Sequence, residues 1–139
     1  MNDKHLDDAG EGESAARVLL VDDDEVNLML TAIALRERGF EVIEVVDGAT
    51  ALEQVDALEP DLIVLDALMP GLDGFDTCRA LRADVRTAFV PILMLTASAD
   101  QDSRTKGYLI GTDDYMAKPF LPVDLKLRIA RLLRRTYGI

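Results

Sequence analysis

The chain has 139 residues, of which 49% are apolar and 5% aromatic, and its formal net charge is −11 at pH 7. The length fits one domain, and the acidic charge argues against direct binding to the phosphate backbone of nucleic acids. Its one cysteine, Cys78, excludes an internal disulfide and is compatible with a reducing, cytoplasmic location. We find neither an apolar run of membrane-spanning length nor a secretory signal, so we expect no membrane partner.

The first residues differ in composition from the rest of the chain. Residues 1–16 are polar, contain glycine and are mostly acidic. Such a segment has too few apolar side chains to pack, which predicts a disordered leader followed by one domain over residues 17–139.

Short apolar runs alternate with segments whose apolar residues recur at helical spacing. The predicted strands cover residues 17–21, 41–46, 61–65, 90–95 and 115–117. The predicted helices cover residues 25–38, 49–58, 75–83, 103–110 and 122–136. The apolar residues at helical spacing in the first helix are Val26, Met29, Leu30, Ile33, Ala34 and Leu35, and those on one face of the last are Leu125, Ile129, Leu132 and Leu133. The alternation predicts an α/β fold, in which a parallel sheet carries helices on both faces and the crossovers are right-handed.

Polar side chains stand where the predicted strands end. Asp22 and Asp23 follow the first strand, Asp66 the third and Thr96 the fourth, and Lys118 comes just after the fifth. Ligands of open parallel α/β sheets bind outside the carboxyl ends of the strands. We therefore expect three carboxylates, a hydroxyl and an ammonium group to converge at one edge of the sheet.

This set of groups suits phosphoryl chemistry with a hard cation. Carboxylates packed together stay ionised only when a cation compensates them, and oxygen ligands at a shallow edge favour Mg²⁺. Asp66 could then attack phosphorus and form an aspartyl phosphate. Thr96 and Lys118 would bind the remaining phosphoryl oxygens, by a hydrogen bond and by charge.

Several separate motifs resemble those of the response regulator receiver family of two-component signal transduction, and the chain looks chemotaxis-regulator-like. Thr96 follows Asp66 by 30 residues and Lys118 follows it by 52, which are the family's usual intervals. The motifs are Val21-Asp22-Asp23, Leu65-Asp66 with Met69-Pro70 and Asp73-Gly74, Leu95-Thr96-Ala97, Asp113-Asp114-Tyr115, and Lys118-Pro119-Phe120. The resemblance covers residues 17 to 136 and implies a flavodoxin-like, five-stranded sheet in the order 2-1-3-4-5.

The resemblance also implies a role for individual residues at the metal site. Asp22 and Asp23 correspond to the acidic pair that holds Mg²⁺, and Asp66 corresponds to the phosphoacceptor, itself a metal ligand. The backbone carbonyl of Leu68 would be a further ligand. Asp24, the third acid of the run, is expected to cap the first helix instead.

The resemblance also implies roles for Lys118 and for two switch residues, Thr96 and Tyr115. Lys118 would be the phosphate-pairing lysine. Thr96 would be the switch hydroxyl, and Tyr115 would be the aromatic side chain that turns inward when Thr96 moves. Leu68 is a departure, because many members carry a polar residue two positions after the phosphoacceptor, and Ser98, two positions after Thr96, is small. From this pair we predict a slower loss of the phosphoryl group than in members with polar residues there.

The implied partners are a histidine kinase or a phosphotransfer protein as donor and, in one branch of the family, a second copy of the phosphorylated domain. Such dimers pair charges on the fourth helix, fifth strand and fifth helix. The residues at similar positions here are Arg104, Asp114, Asp124 and Arg128. They motivate the hypothesis of a homodimer favoured by phosphorylation.

Three other functions compete with the expected one, a signalling switch that is not an enzyme. A phosphatase with an aspartate nucleophile needs a second acid two residues later, where this chain has Leu68. A nucleotide-binding domain would carry a glycine-rich phosphate loop, which is missing. An unphosphorylated pseudo-receiver that serves as an interaction module stays open as the alternative.

Overall fold

The computed structural model describes residues 15–97 and 110–138. Its strands are β1 Arg17–Val21, β2 Glu41–Val45, β3 Leu62–Asp66, β4 Ile92–Thr96 and β5 Asp114–Ala117. The described helices are α1 Glu25–Glu37, α2 Gly48–Leu58, α3 Gly74–Ala83 and α4 Pro122–Tyr137. The predicted helix over 103–110 lies outside the described residues except for Ile110, which is in a turn. None of the described helices is long and apolar enough to cross a membrane.

All five strands are parallel and their order is β2-β1-β3-β4-β5, as predicted. The register brings the carboxyl ends of the central strands together: Val21 pairs with Leu65, and Asp66 pairs with Leu95. Thr96 pairs with Ala117, immediately before Lys118. The polar residues that follow these strands therefore meet at one edge of the sheet.

Each face of the sheet packs against a separate apolar cluster. Strand residues alternate between the clusters because successive side chains point to opposite faces. One cluster joins the sheet to α1 and α4, with Leu20, Leu35 and Ile129 among its members. The other joins the sheet to α2 and α3, with Val55 and Leu81 among its members.

Element boundaries differ from the predictions by one or two residues. β3 extends through Asp66, which is part of the ladder and opposite Leu95. β4 begins at Ile92 and not at Val90, because the Val90 amide turns back to the carbonyl of Thr87 at 3.2 Å. Pro91, which has no amide hydrogen, accepts a hydrogen bond from Ile63 and does not extend the strand.

The apolar pattern of α1 does not mark its buried face. Leu28, Ala32 and Leu35 are the buried residues of this helix. Four of the residues that indicated the helix, Val26, Met29, Leu30 and Ile33, are 45–61% exposed. The helix has apolar residues on two faces, and spacing alone cannot tell which of them meets the sheet. The second face is exposed to solvent.

Candidate functional site

Three carboxylates gather at the carboxyl edge of the sheet. One oxygen atom from each of Asp22, Asp23 and Asp66 lies within 4.8 Å of the others. Asp66 is the last residue of the buried strand β3, and Asp22 directly follows β1. Asp22 and Asp66 are buried, at 4% and 6% exposure, while Asp23 is exposed to solvent. The arrangement leaves one side of the cluster open to an incoming ligand.

The Lys118 ammonium group lies beside the buried pair of carboxylates. Its Nζ is 3.3 Å from Oδ1 of Asp66 and 3.5 Å from Oδ2 of Asp22. The backbone amide of Lys118 donates to the carbonyl of Thr96 at 2.7 Å, and the peptide bond to Pro119 is cis. The end of β4 therefore fixes where the lysine side chain begins.

The carboxyl group of Asp66 is held in an environment that disfavours its charge. Burial raises the pKa of Asp66 to about 6 from an ordinary value of 3.8. The positive charge of Lys118 and a hydrogen bond from the backbone of Leu68 oppose this rise in pKa, and the negative charge of Asp22 adds to it. One lysine thus compensates the two buried carboxylates only in part.

The two proposed switch residues are both buried. Thr96 is the last residue of β4 and is 5% exposed, next to the carboxylate cluster through its backbone bond with Lys118. Tyr115, in β5, is 2% exposed and packs in the cluster between the sheet and α2 and α3. The Tyr115 side chain is therefore part of the core in this structure.

Asp24 caps α1, as predicted. Its carboxylate accepts hydrogen bonds from the backbone amides of Val26 and Asn27, at 3.1 and 3.2 Å.

Leu68, two residues after Asp66, is 66% exposed and lies beside the cluster in sequence. No second acid therefore follows the strand where a phosphatase of the aspartate class would need one.

A close backbone approach at Gly74 supports the loop that follows Asp66. A Cβ atom at Gly74 would overlap the carbonyl oxygen of Asp66 and lie 2.8 Å from Cα of Ala67. The amide of Gly74 donates to the carbonyl of Ala67 at 3.0 Å. The Asp73-Gly74 pair is one of the motifs of the resemblance, but its contact with the strand end could be found only from the fold.

An exposed apolar surface lies next to the site and was not predicted from the sequence; we call it the α1–α4 surface. Its members are Val26, Met29, Leu30 and Ile33 of α1 together with Leu121, Val123 and Leu127 at the start of α4, all 45–62% exposed. A groove of about 520 Å³ includes Leu30 of this surface, and its lining also includes Asp22 and Lys118 of the carboxylate cluster. Monomeric proteins rarely expose contiguous apolar patches unless they bind a partner.

The structure brings together two of the four predicted dimer residues within one chain. Arg128 Nη1 is 3.1 Å from Asp114 Oδ1 and 3.2 Å from the carbonyl of Tyr115. Asp124 is exposed in the first turn of α4, and Arg104 lies outside the described residues.

The donor set fits a hard divalent cation. Three carboxylates on one edge, two of them buried beside the Lys118 ammonium group, leave negative charge that a cation would neutralise. Oxygen-only ligands at an open edge suit a cation that keeps part of its water shell. Asp22, Asp23 and Asp66 could therefore hold a metal ion.

Comparison with known proteins gives one consistent result. Residues 18–130 match the family described as the response regulator receiver domain. The chain is 45% identical over 119 residues to the DNA-binding response regulator MtrA of Mycolicibacterium smegmatis, covering 86% of this chain and 51% of MtrA. It spans about half the length of the curated relatives it matches.

Two solved structures have similar folds. The Vibrio cholerae chemotaxis protein CheY4 superposes with a TM-score of 0.82 at 32% identity, over 86% of this chain and 99% of that one. The receiver domain of the Pseudomonas aeruginosa sensor histidine kinase PA1611 gives a TM-score of 0.78 at 36% identity, over 91% of this chain and all of that one. The latter holds a magnesium ion in its active site cleft.

Proposed function

This chain belongs to the response regulator receiver domain family, and on that premise we propose that Asp66 accepts a phosphoryl group in a reaction that requires Mg²⁺. The observation that carries the proposal is the position of Lys118 Nζ, 3.3 Å from Oδ1 of a buried Asp66, inside a three-carboxylate cluster. The magnesium ion coordinated in the cleft of the PA1611 receiver supports the same assignment.

Asp22, Asp23 and Asp66 would hold the ion, with the backbone carbonyl of Leu68 as a further ligand. Bound Mg²⁺ would supply charge for the oxygens of the transferring group. A carboxylate oxygen of Asp66 forms the new bond to phosphorus while the bond from phosphorus to the donor nitrogen breaks. The Lys118 ammonium neutralises charge on the phosphoryl oxygens, and the Thr96 hydroxyl donates a hydrogen bond to one of them.

In this proposal the phosphorylated domain acts as a signalling switch and not as an enzyme with repeated turnover. Asp66 carries the phosphoryl group itself, and hydrolysis returns the domain to its first state. Movement of Thr96 toward the phosphoryl group would be coupled to a rearrangement of Tyr115, which is already buried in this structure, and would change the surface of β5. We place this activity in the cytoplasm, where phosphorylated kinases and phosphotransfer proteins act as donors.

The test is phosphorylation by acetyl phosphate with and without Mg²⁺, followed by intact mass. Wild type should gain one phosphoryl group only with Mg²⁺, and Asp66→Asn should gain none. Asp47→Asn is the matched control, since Asp47 caps α2 and lies outside the carboxylate cluster. A folded wild type that gains nothing would refute the proposal and favour the pseudo-receiver.

We propose further that the donor, a histidine kinase or a phosphotransfer protein, docks on the α1–α4 surface. This surface is exposed and apolar, and Leu30 lines the same groove as Asp22 and Lys118, so a partner seated there would lie close to Asp66. Leu30→Glu should slow transfer from the phosphorylated donor protein and leave acetyl phosphate labelling unchanged, because Leu30 is 56% exposed and lines the groove. Val85→Glu is the control, because Val85 is 81% exposed on the connection that follows α3. Equal transfer rates for both variants would refute this docking site.

A phosphorylated homodimer is the second proposed partner, through β5 and α4 and the predicted helix over 103–110. Asp114 and Arg128 already pair within one chain, so dimerisation would add to or exchange this pair. Light scattering of the beryllofluoride-treated protein should show a dimer for wild type and a monomer for Arg128→Ala. If the treated wild type stays monomeric at high concentration, the homodimer is refuted.

The DNA binding named for MtrA is that protein's activity, and we propose for this acidic domain only the phosphorylated, regulatory role.

A further inference from the structure

Three consecutive aspartates follow β1, and the structure gives each a different environment. Asp22 is buried and faces Lys118, while Asp23 is exposed and contributes an oxygen to the cluster. The carboxylate of Asp24 is turned away from the cluster, toward the first turn of α1. The chain bends at Asp23, the second acid of the run.

Hydrogen bonds made by Asp24 hold this bend at both ends. On one side its backbone amide donates to Oδ1 of Asp22 at 3.0 Å. On the other its Oδ1 accepts from the amides of Val26 and Asn27, and its Oδ2 accepts from the side-chain amide of Asn27 at 3.2 Å. The carboxylate of Asp24 is thus committed to the helix, and its backbone is committed to Asp22.

We propose that Asp24 is a positioning residue for the cation site: by capping α1 it fixes the amide that orients the carboxylate of Asp22. With Oδ1 of Asp22 bound to this amide, Oδ2 is left facing Lys118, at 3.5 Å, on the side of Asp66. Without the cap, the backbone at residue 24 has more conformations, and Asp22 loses a defined hydrogen bond.

The size of the effect follows from the behaviour of groups that orient metal ligands. Substituting such a group lowers metal affinity about 10- to 100-fold, although it never touches the metal. The inference deepens the proposed function, since it rests on Mg²⁺ binding by Asp22, Asp23 and Asp66. It assigns to the third acid of the run a role beyond the capping of a helix.

The experiment is a calorimetric titration of Mg²⁺ into the intact protein, at a temperature where circular dichroism shows every variant folded. Asp24→Ala removes the cap and should weaken Mg²⁺ binding about tenfold. Asp47→Ala removes the equivalent cap of α2, where Asp47 Oδ1 accepts from the amide of Thr50 at 2.6 Å. This control should lose comparable stability and keep the wild-type affinity for Mg²⁺.

A conservative variant separates the hydrogen bonds of Asp24 from its charge. Asp24→Asn keeps an oxygen acceptor for the helix amides and should restore most of the affinity that Asp24→Ala loses. If Asp24→Ala does not fold, Asp24→Gly takes its place, because glycine at an N-cap costs only a few tenths of a kcal/mol.

Equal affinities for Asp24→Ala and Asp47→Ala would overturn the inference while leaving the metal site intact. An Asp24→Asn variant as weak as Asp24→Ala would also overturn it, since the charge of Asp24 would then be the cause. Failure of the wild type to bind Mg²⁺ would overturn the metal site itself, and the inference with it.

Discussion

The buried carboxyl group of Asp66 makes the stability of the metal-free protein depend on pH in a predictable direction. Its pKa is raised from 3.8 to about 6 by burial, against the opposing charge of Lys118. A carboxyl whose pKa is higher in the folded state binds more protons when folded, at pH values between the two pKa values. Its protonation therefore stabilises the fold below about pH 4, and this contribution is lost as pH rises through about 6.

The magnitude follows from the shift, because one pKa unit corresponds to about 1.4 kcal/mol. A rise of about two units for Asp66 corresponds to roughly 3 kcal/mol of lost stability between pH 4 and pH 8. Asp66→Asn carries no titrating group at this position. Relative to wild type, it should therefore become more stable by about this amount as pH is raised over that range.

The assay is urea unfolding in a chelating buffer, followed by far-ultraviolet circular dichroism because the chain has no tryptophan. Asp47→Asn serves as the control: the amide of Thr50 lowers the pKa of Asp47, so its contribution is lost only as pH falls below the ordinary range. Added Mg²⁺ should stabilise wild type at pH 8 far more than Asp66→Asn. A stability difference between wild type and Asp66→Asn that stays constant from pH 4 to pH 8 would refute the reasoning.

Three further changes test the surroundings of Asp66. Gly74→Ala should lower the free energy of unfolding by about 2 kcal/mol or more, because the added methyl overlaps the Asp66 carbonyl. Gly71→Ala, in open space at φ +73°, should cost only about 1 kcal/mol in the same urea experiment, and equal costs would contradict the packing argument. Lys118→Met should slow labelling by acetyl phosphate about 100-fold through loss of the ammonium, and an unchanged rate would remove that role. Leu68→Asn should shorten the lifetime of the phosphoryl group severalfold by admitting water, as followed by mass after removal of the donor; an equal or longer lifetime would count against it.

The capping of α1 was predictable because a cap is a local property of sequence. An aspartate just before an apolar helical segment satisfies amides two and three residues later, whatever the rest of the fold does. The assignment of Asp24 to the helix, and of Asp22 and Asp23 to the cluster, could therefore be made before the structure. The hydrogen bond from the Asp24 amide to Asp22 could not, because it depends on the backbone path between them.

The orientation of α1 was not predictable from its sequence. Apolar residues occur on two of its faces, and periodicity indicates a helix without saying which face meets the sheet. The structure buries Leu28, Ala32 and Leu35 and leaves the other face exposed beside the site. Periodicity alone would assign this exposed face to the core, whereas the structure leaves it available to a partner.

The sequence by itself determined the parallel α/β fold and the five residues that meet at the edge of the sheet. It could do so because parallel strands end on one side, so the residues after them converge however the helices pack. Only the tertiary structure decided how far each carboxylate is buried, where Lys118 points and which backbone Gly74 approaches. These three features depend on distances between segments that are far apart in the chain. Such distances are set by packing, and no local sequence pattern indicates them.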